Sequence, residues 1–487
     1  MSVNDVALWG QWAKQHAPYV LAGGAALGGA MLLPGLLGGS RRRDAHWATW
    51  HELKKAQLLS KHGVVVGRIG STVLRYGGPG HVFVVAATQT GKSRTLKCTL
   101  LEPQPVRGPK DSIVAFDPKN ELYETTGRYR ASVSRVIRLA PCSRDTDCYN
   151  ILDAIRFGGD DEVADIQLIS SMLANPDGME FKTEAERFWV GLSATVFGGL
   201  IVYGHTTQVA ISLGDLYQLV TQGDFRQVAA AMAQEAHPMV REAGTSITDM
   251  DEKQYSNVIM TLRQCLTLYA DPRLADMGVR SDFTLEELRK GPEPLTVYVS
   301  IPFEHLERLR PWTRLFFRQL LHRATAVPNA WRRQGYHRLR VIGEEFPSLK
   351  RLQIAEDILN NGAGLGVQLV TITPSMNSME EIWGAHHNFK DNSHVQVYFG
   401  IMDEEVAETV SQRLGTHTIR EKRVTRQGRG GTSVSWEEKK VPLMSGSEIT
   451  HMDEEDLIII ARRYQVVAQH NPWDQRRPWA DRGDQDA

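Results

Sequence analysis

The sequence predicts an α/β fold on a mostly parallel central sheet, with an all-helical segment inserted and one apolar helix near the N-terminus. Three observations carry this. Runs of strand length rich in β-branched residues recur from residue 81: HVFVVAA (81–87), SIVAF (112–116), RVIRLA (135–140), LTVYVSI (295–301), LRVI (339–342), VQLVTIT (367–373) and HVQVYF (394–399). Near-continuous runs of this kind suit strands buried on both faces of a parallel sheet. Between Phe157 and about Pro292 the period changes, and Tyr255, Val258, Ile259, Leu262, Leu266 and Tyr269 fall on one helix face. Finally, residues 17–40 contain no charged residue, which is the length one membrane-crossing helix needs.

Composition narrows the class. The chain has 487 residues, 42% hydrophobic and 23% charged, which excludes a small scaffold, a disordered tail and a multi-span membrane protein. Lys plus Arg number 56 against 57 Asp plus Glu, so no global positive field draws it to nucleic acid. Cys98, Cys142, Cys148 and Cys265 form no CxxC pair, consistent with a reducing compartment. Arg41, Arg42 and Arg43 follow the apolar run and only Lys14 precedes it, so the basic excess places the bulk of the chain in the cytoplasm.

The expected organisation follows. Residues 1–17 are a short N-terminal segment, 18–40 a transmembrane helix and 41–157 the first part of a nucleotide-binding domain. Residues 158–292 form an all-α domain, 293–470 the second part of the nucleotide-binding domain, and 471–487 a loose tail. The uncharged stretch 188–203 reads as a buried core helix rather than a second span, with Trp189 and its aromatic neighbours in that core. Segment 420–442, rich in Arg, Lys and Gly, reads as a long exposed hairpin, and the runs LIIIA and YQVVAQ after it as two more strands. His386, His387 and His394 lack metal-ligand spacing.

The chemistry concentrates in AATQTGKS (86–93), directly after a β run and before a helix-compatible segment. In that context backbone N–H groups and the helix N-terminus surround phosphate oxygens, Lys92 reaches the outer phosphates and the Ser93 hydroxyl joins Mg²⁺. Ala86 stands where the motif has its first Gly, tolerable if it keeps φ below zero. A phosphate loop calls for an acidic element at a neighbouring strand end. LRVIGEEF offers Glu344 to support the metal and Glu345 as general base, and AFDPKNE offers Asp117.

The runs FDPKNELYETTGRYRA (116–131), CYNILDAIR (148–156), EEFPSLKRLQIAEDILNNGAGLGVQLVTIT (344–373), NSHVQVYFGIMDEEVAETVSQRLG (392–415) and VPLMSGSEI (441–449) resemble, in this order, the TraG/TraD-type coupling proteins of type IV secretion and conjugation. The resemblance implies a RecA-like P-loop ATPase that is anchored in the bacterial inner membrane and hexameric. It would use ATP and Mg to deliver relaxase-bound single-stranded DNA or effector proteins to the secretion machinery. It carries over Gly91, Lys92 and Ser93 as the phosphate loop and Glu345 as the second acidic-motif residue; the expected site further takes Thr88, Thr90, Arg94 and Asp117 as nucleotide-binding, Ser93 and Glu344 as metal ligands, and Glu344 beside Glu345 as catalytic. Glu344 replaces the family's usual Asp, Pro374 stands where a Gln is common, and one span is visible where two are usual, so slow or partner-dependent hydrolysis is expected. The rival readings are a nucleotide-binding scaffold and a DNA translocase of the chromosome-segregation type; the latter needs a C-terminal DNA-reading module, and none is visible after residue 470.

Overall fold

A computed structural model describes residues 44–87, 90–178, 181–328, 330–427 and 431–484. The expected helix at 18–40 and Thr88 lie outside them. Thirteen strands follow in chain order among the described residues: β1 Val64–Ile69, β2 Thr72–Tyr76, β3 His81–Ala86, β4 Asp111–Phe116, β5 Arg135–Leu139, β6 Leu295–Val299, β7 Arg338–Gly343, β8 Val367–Thr373, β9 Ser393–Phe399, β10 Thr416–Gln427, β11 Gly431–Pro442, β12 Asp456–Ala461 and β13 Tyr464–Gln469. Three helices matter below: α1 Lys92–Leu100, α2 Glu121–Ala131 and α3 Glu184–Thr207.

The chain divides into two compact units. The first holds residues up to Glu102, Ile372–Ser378 and Ser393–Asp481; the second holds Pro103–Thr371, Met379–Asn392 and the residues from Arg482.

In the first unit the strands run in the order β2-β1-β13-β12-β9-β3. β3 and β9 are parallel, with Ala86 beside Phe399, and the remaining neighbours are antiparallel. All six residues of β3 are buried, as the uninterrupted HVFVVA run requires. The antiparallel hairpin β1-β2 was not expected from the sequence. Its run is broken by Gly67 at φ +155, where the register shifts between Val65 and Gly67, and such a bulge hides the period-two pattern. The segment after Asn471, expected as a loose tail, is anchored instead. Trp479 is 1% exposed and its indole Nε1 donates to Glu102 Oε1 at 2.9 Å, while Arg75 donates twice to the same carboxylate.

In the second unit the order is β8-β7-β4-β6-β5, with every neighbouring pair parallel. β4 and β6 are buried along their whole length. The N-terminal ends of these strands are stitched by charge. Arg338 donates twice to Asp111, at 2.7 and 2.8 Å, Arg340 lies 3.4 Å from the same carboxylate, and Arg340 Nε reaches Gln368 at 2.9 Å. Burial alone would raise the Asp111 pKa, but the Arg340 and Arg338 guanidiniums outweigh it and hold it below the usual range. The opposite, C-terminal ends are left to chemistry, as in open α/β sheets generally.

Between β5 and β6 the described residues contain only helical and irregular structure. α3 is the one helix among the described residues long and apolar enough to cross a membrane, and half of that apolar stretch is buried within this unit. Its Gly198, Gly199 and Gly204 meet Met239 and Ile166, Ala243, and Ala210 respectively, so close helix packing explains its composition. The first turns differ from expectation: Phe188 is 61% exposed and Trp189 only half-buried, because the core-facing residues begin at Ser193.

Candidate phosphate-binding site

The loop after β3 lies in the first unit. Ala86 remains part of the strand and is absent from the residues with positive φ, so the missing motif glycine costs nothing there. Gly91 does need its freedom. It sits at φ +90 as the residue before α1, where a side chain would be strained. Among the described residues no side-chain hydrogen bond caps α1, and its first turn carries no acid, so the positive end of its dipole is not offset there by a carboxylate. Lys92 is 5% exposed and Ser93 follows it on the first turn. Arg94 forms an exposed ion pair with Glu455 at 3.0 Å, and its side chain passes beside Gly91, where a Cβ would meet its Cδ at 3.2 Å.

Two features of this loop were invisible in the sequence. Thr90 Oγ1 donates to Ala87 O at 2.7 Å, closing the turn on itself. Gly400, just past β9 at φ +60, lies so close that an added Cβ would stand 2.3 Å from Thr90 Cγ2. The only advance signal was a glycine directly after a buried strand.

The acidic residues lie in the second unit, at the C-terminal ends of β4 and β7. Phe116 pairs with Gly343, which puts Asp117 and Glu344 side by side as the next residues of adjacent strands. Asp117 is 0% and Glu344 1% exposed. The Asp117 backbone N–H bonds to Val299 O at 3.0 Å, and its Oδ2 accepts from the Tyr123 N–H at the start of α2 at 2.9 Å. Its Oδ1 is buried without a hydrogen-bond partner among the described residues. Burial pushes the Asp117 carboxyl up to about 7; the Tyr123 and Leu122 N–H groups oppose this and the Glu344 charge adds to it. Adjacent buried carboxylates, one with an orphaned oxygen, are the donor set that a hard dication such as Mg²⁺ accepts.

Glu345 is half-buried and held at φ 57, ψ 44, a left-handed conformation uncommon for a non-glycine residue. The turn is fixed from both sides. The Phe346 ring folds back over Gly343, where a Cβ would meet it at 2.6 Å, and packs on Trp383 and Phe389 with centroids 5.5 Å from each. Pro374 follows β8, and the neighbouring Ser375 hydroxyl is engaged with Ser378 at 2.9 Å.

The sequence profile of the family described as type IV secretory system conjugative DNA transfer matches residues 45–472. The chain belongs to that family. It is 28% identical over 466 residues to the conjugal transfer protein TraG of Escherichia coli, covering 84% of this chain and 71% of TraG. It is 27% identical over 397 residues to VirD4 of Rhizobium radiobacter, covering 77% of this chain and 55% of VirD4. Among solved structures it resembles the conjugative coupling protein TrwB lacking its first 70 residues, with TM-score 0.64, 18% identity, and 91% and 95% of the two chains covered. TrwB in complex with ADP and Mg²⁺ superposes with TM-score 0.63 at 18% identity, covering 90% and 97%. At that identity the likeness speaks for the fold, an α/β P-loop NTPase fold.

Proposed function

We propose that this chain is the coupling ATPase of a conjugative type IV secretion system, anchored in the bacterial inner membrane by residues 18–40 and working as a homo-oligomer, a hexamer by family resemblance. The observation that carries the nucleotide reading is the left-handed Gly91 that starts α1, directly after a buried parallel strand. TrwB, the structural relative, has been solved with a non-hydrolysable ATP analogue as well as with ADP and Mg²⁺.

In this reading the backbone N–H groups of Thr88 to Ser93 bind phosphate oxygens, and Lys92 neutralises the outer phosphates. Arg94 borders the nucleotide. Ser93 and Glu344 would hold Mg²⁺, with Asp117 beside Glu344 as a further oxygen donor. Glu345 takes a proton from the attacking water, its carboxylate set by the left-handed turn. The bound MgATP supplies a transferable phosphoryl group whose leaving charge the metal neutralises. Pro374 presents no side-chain hydrogen bond, so turnover is slow unless partners complete the site. The helical residues 158–292 face the cargo, relaxase-bound single-stranded DNA or effector proteins.

The test is conjugative transfer in cells carrying Lys92→Ala. The reading predicts that transfer is lost while the chain remains in the membrane fraction. Transfer at the wild-type rate would overturn it.

A further inference from the structure

Strands β10 and β11 form a sheet of their own, twelve cross-strand pairs long, from Thr416 opposite Pro442 to Gln427 opposite Gly431. Residues 420–423 and 434–440 are exposed on both faces. A two-stranded ribbon of this length is marginal in water by itself, so a covering surface is expected. Trp436 stands opposite Lys422, so Trp436, Lys422, Val434 and the Arg420–Glu438 ion pair share one face. On that face Trp436 is 64% and Val434 49% exposed. Residues 416–442 contain seven Lys or Arg against three Glu, in a chain otherwise balanced in charge.

The root of the ribbon decides the occupant. The Ala45 N–H donates to Thr416 O at 2.9 Å, the Thr418 N–H donates to Asp44 Oδ2 at 3.2 Å, and Gly415 lies against Ala45. Asp44 and Ala45 come directly after Arg41–Arg43 and the uncharged run ending at Ser40. Five residues from Ser40 to Ala45 span at most about 18 Å. Six residues from Thr416 to Lys422 rise about 20 Å. The indole is therefore separated from the end of the apolar run by about 40 Å at most. Exposed Trp beside Lys and Arg is the pattern of a membrane interface, where the ring sits at headgroup depth and the cations meet lipid phosphate.

We propose that the β10–β11 ribbon docks on the anionic headgroup layer of the membrane, with Trp436 and Val434 at the interface and Arg420 and Lys422 on lipid phosphate. This rests on the reading of 18–40 as a membrane helix. A nucleic-acid groove also admits a two-stranded ribbon, but it does not reward the exposed Trp and Val, and the root of the ribbon is tied to the chain leaving the apolar run.

The experiment reconstitutes the full chain in vesicles of phosphatidylcholine brominated on its acyl chains with a third of phosphatidylglycerol. The emission of Trp436 is isolated as the difference between wild type and Trp436→Phe. Expected is loss of most of that emission relative to unbrominated vesicles, and its recovery in Arg420→Glu/Lys422→Glu. Equal emission in both vesicle types overturns the proposal. So does emission that responds only to added duplex DNA, or only to protein density in plain vesicles, the outcomes for a nucleic-acid groove and for a second copy. Alkaline carbonate extraction of the same vesicles separates the two readings. A retained chain with unquenched Trp436 removes the ribbon contact alone, whereas a stripped chain whose Trp436 had been quenched removes the membrane helix alone.

Discussion

Gly400→Ala tests whether the loop around Thr90 is held in one position for a ligand. The added methyl would stand 2.3 Å from Thr90 Cγ2, 2.9 Å from its Cβ and 3.2 Å from its Oγ1. Carbon atoms settle about 3.5–4.0 Å apart, so Thr90 must retreat by more than about 1 Å. The left-handed φ of +60 at residue 400 adds about 1–2 kcal/mol for any residue with a Cβ. The retreat also pulls on the Thr90–Ala87 hydrogen bond of 2.7 Å, worth about 1 kcal/mol. Global stability should therefore fall by about 2–3 kcal/mol. Ligand binding should suffer as well, since the loop that carries Thr90 is displaced from its binding geometry. Calorimetric titration of the full chain with ADP and Mg²⁺ should show affinity down at least about tenfold, with part restored in Gly400→Ala/Thr90→Ser, which deletes the colliding methyl. Wild-type affinity in Gly400→Ala would refute the reasoning.

Asp111→Ala removes the carboxylate between Arg338 and Arg340 at the end of the sheet away from the acidic site. It should cost about 3–5 kcal/mol in denaturant unfolding and leave nucleotide affinity unchanged. Trp479→Ala should cost about 3–5 kcal/mol by the same assay, since the indole is buried and bonded to Glu102; a loose tail would lose nothing. Burial pushes the His470 ring down to about 4, so it is neutral in the fold while the unfolded ring takes a proton near pH 6.5. Its contribution is intact above about pH 6.5 and lost as pH falls towards 4, by about 3 kcal/mol in all. His470→Gln should remove that dependence from unfolding curves measured across this window.

What the sequence made legible was whatever repeats along the chain. Every strand of the parallel set was readable, because strands buried in a parallel sheet carry dense runs of β-branched and apolar residues, as VQLVTIT does. The phosphate loop was readable because its residues are contiguous. Relations between distant residues were not. Asp111 and Arg338 are 227 positions apart, and nothing local in either marks the pair. Gly400 shows its purpose only against Thr90, and the left-handed turn at Glu345 only against Phe346 and Gly343. Trp479 lies in a stretch of Pro, Arg and Asp without period, so its burial depends wholly on a partner, Glu102, that periodicity cannot name.

Steady-state phosphate release by the reconstituted full chain with ATP and Mg²⁺, wild type against Lys92→Ala, bears most directly on the motor reading. The account predicts measurable release by the wild type and its loss in a Lys92→Ala chain of undiminished thermal stability. Equal release by both chains, or a wild type that binds no nucleotide at millimolar concentration, would contradict it.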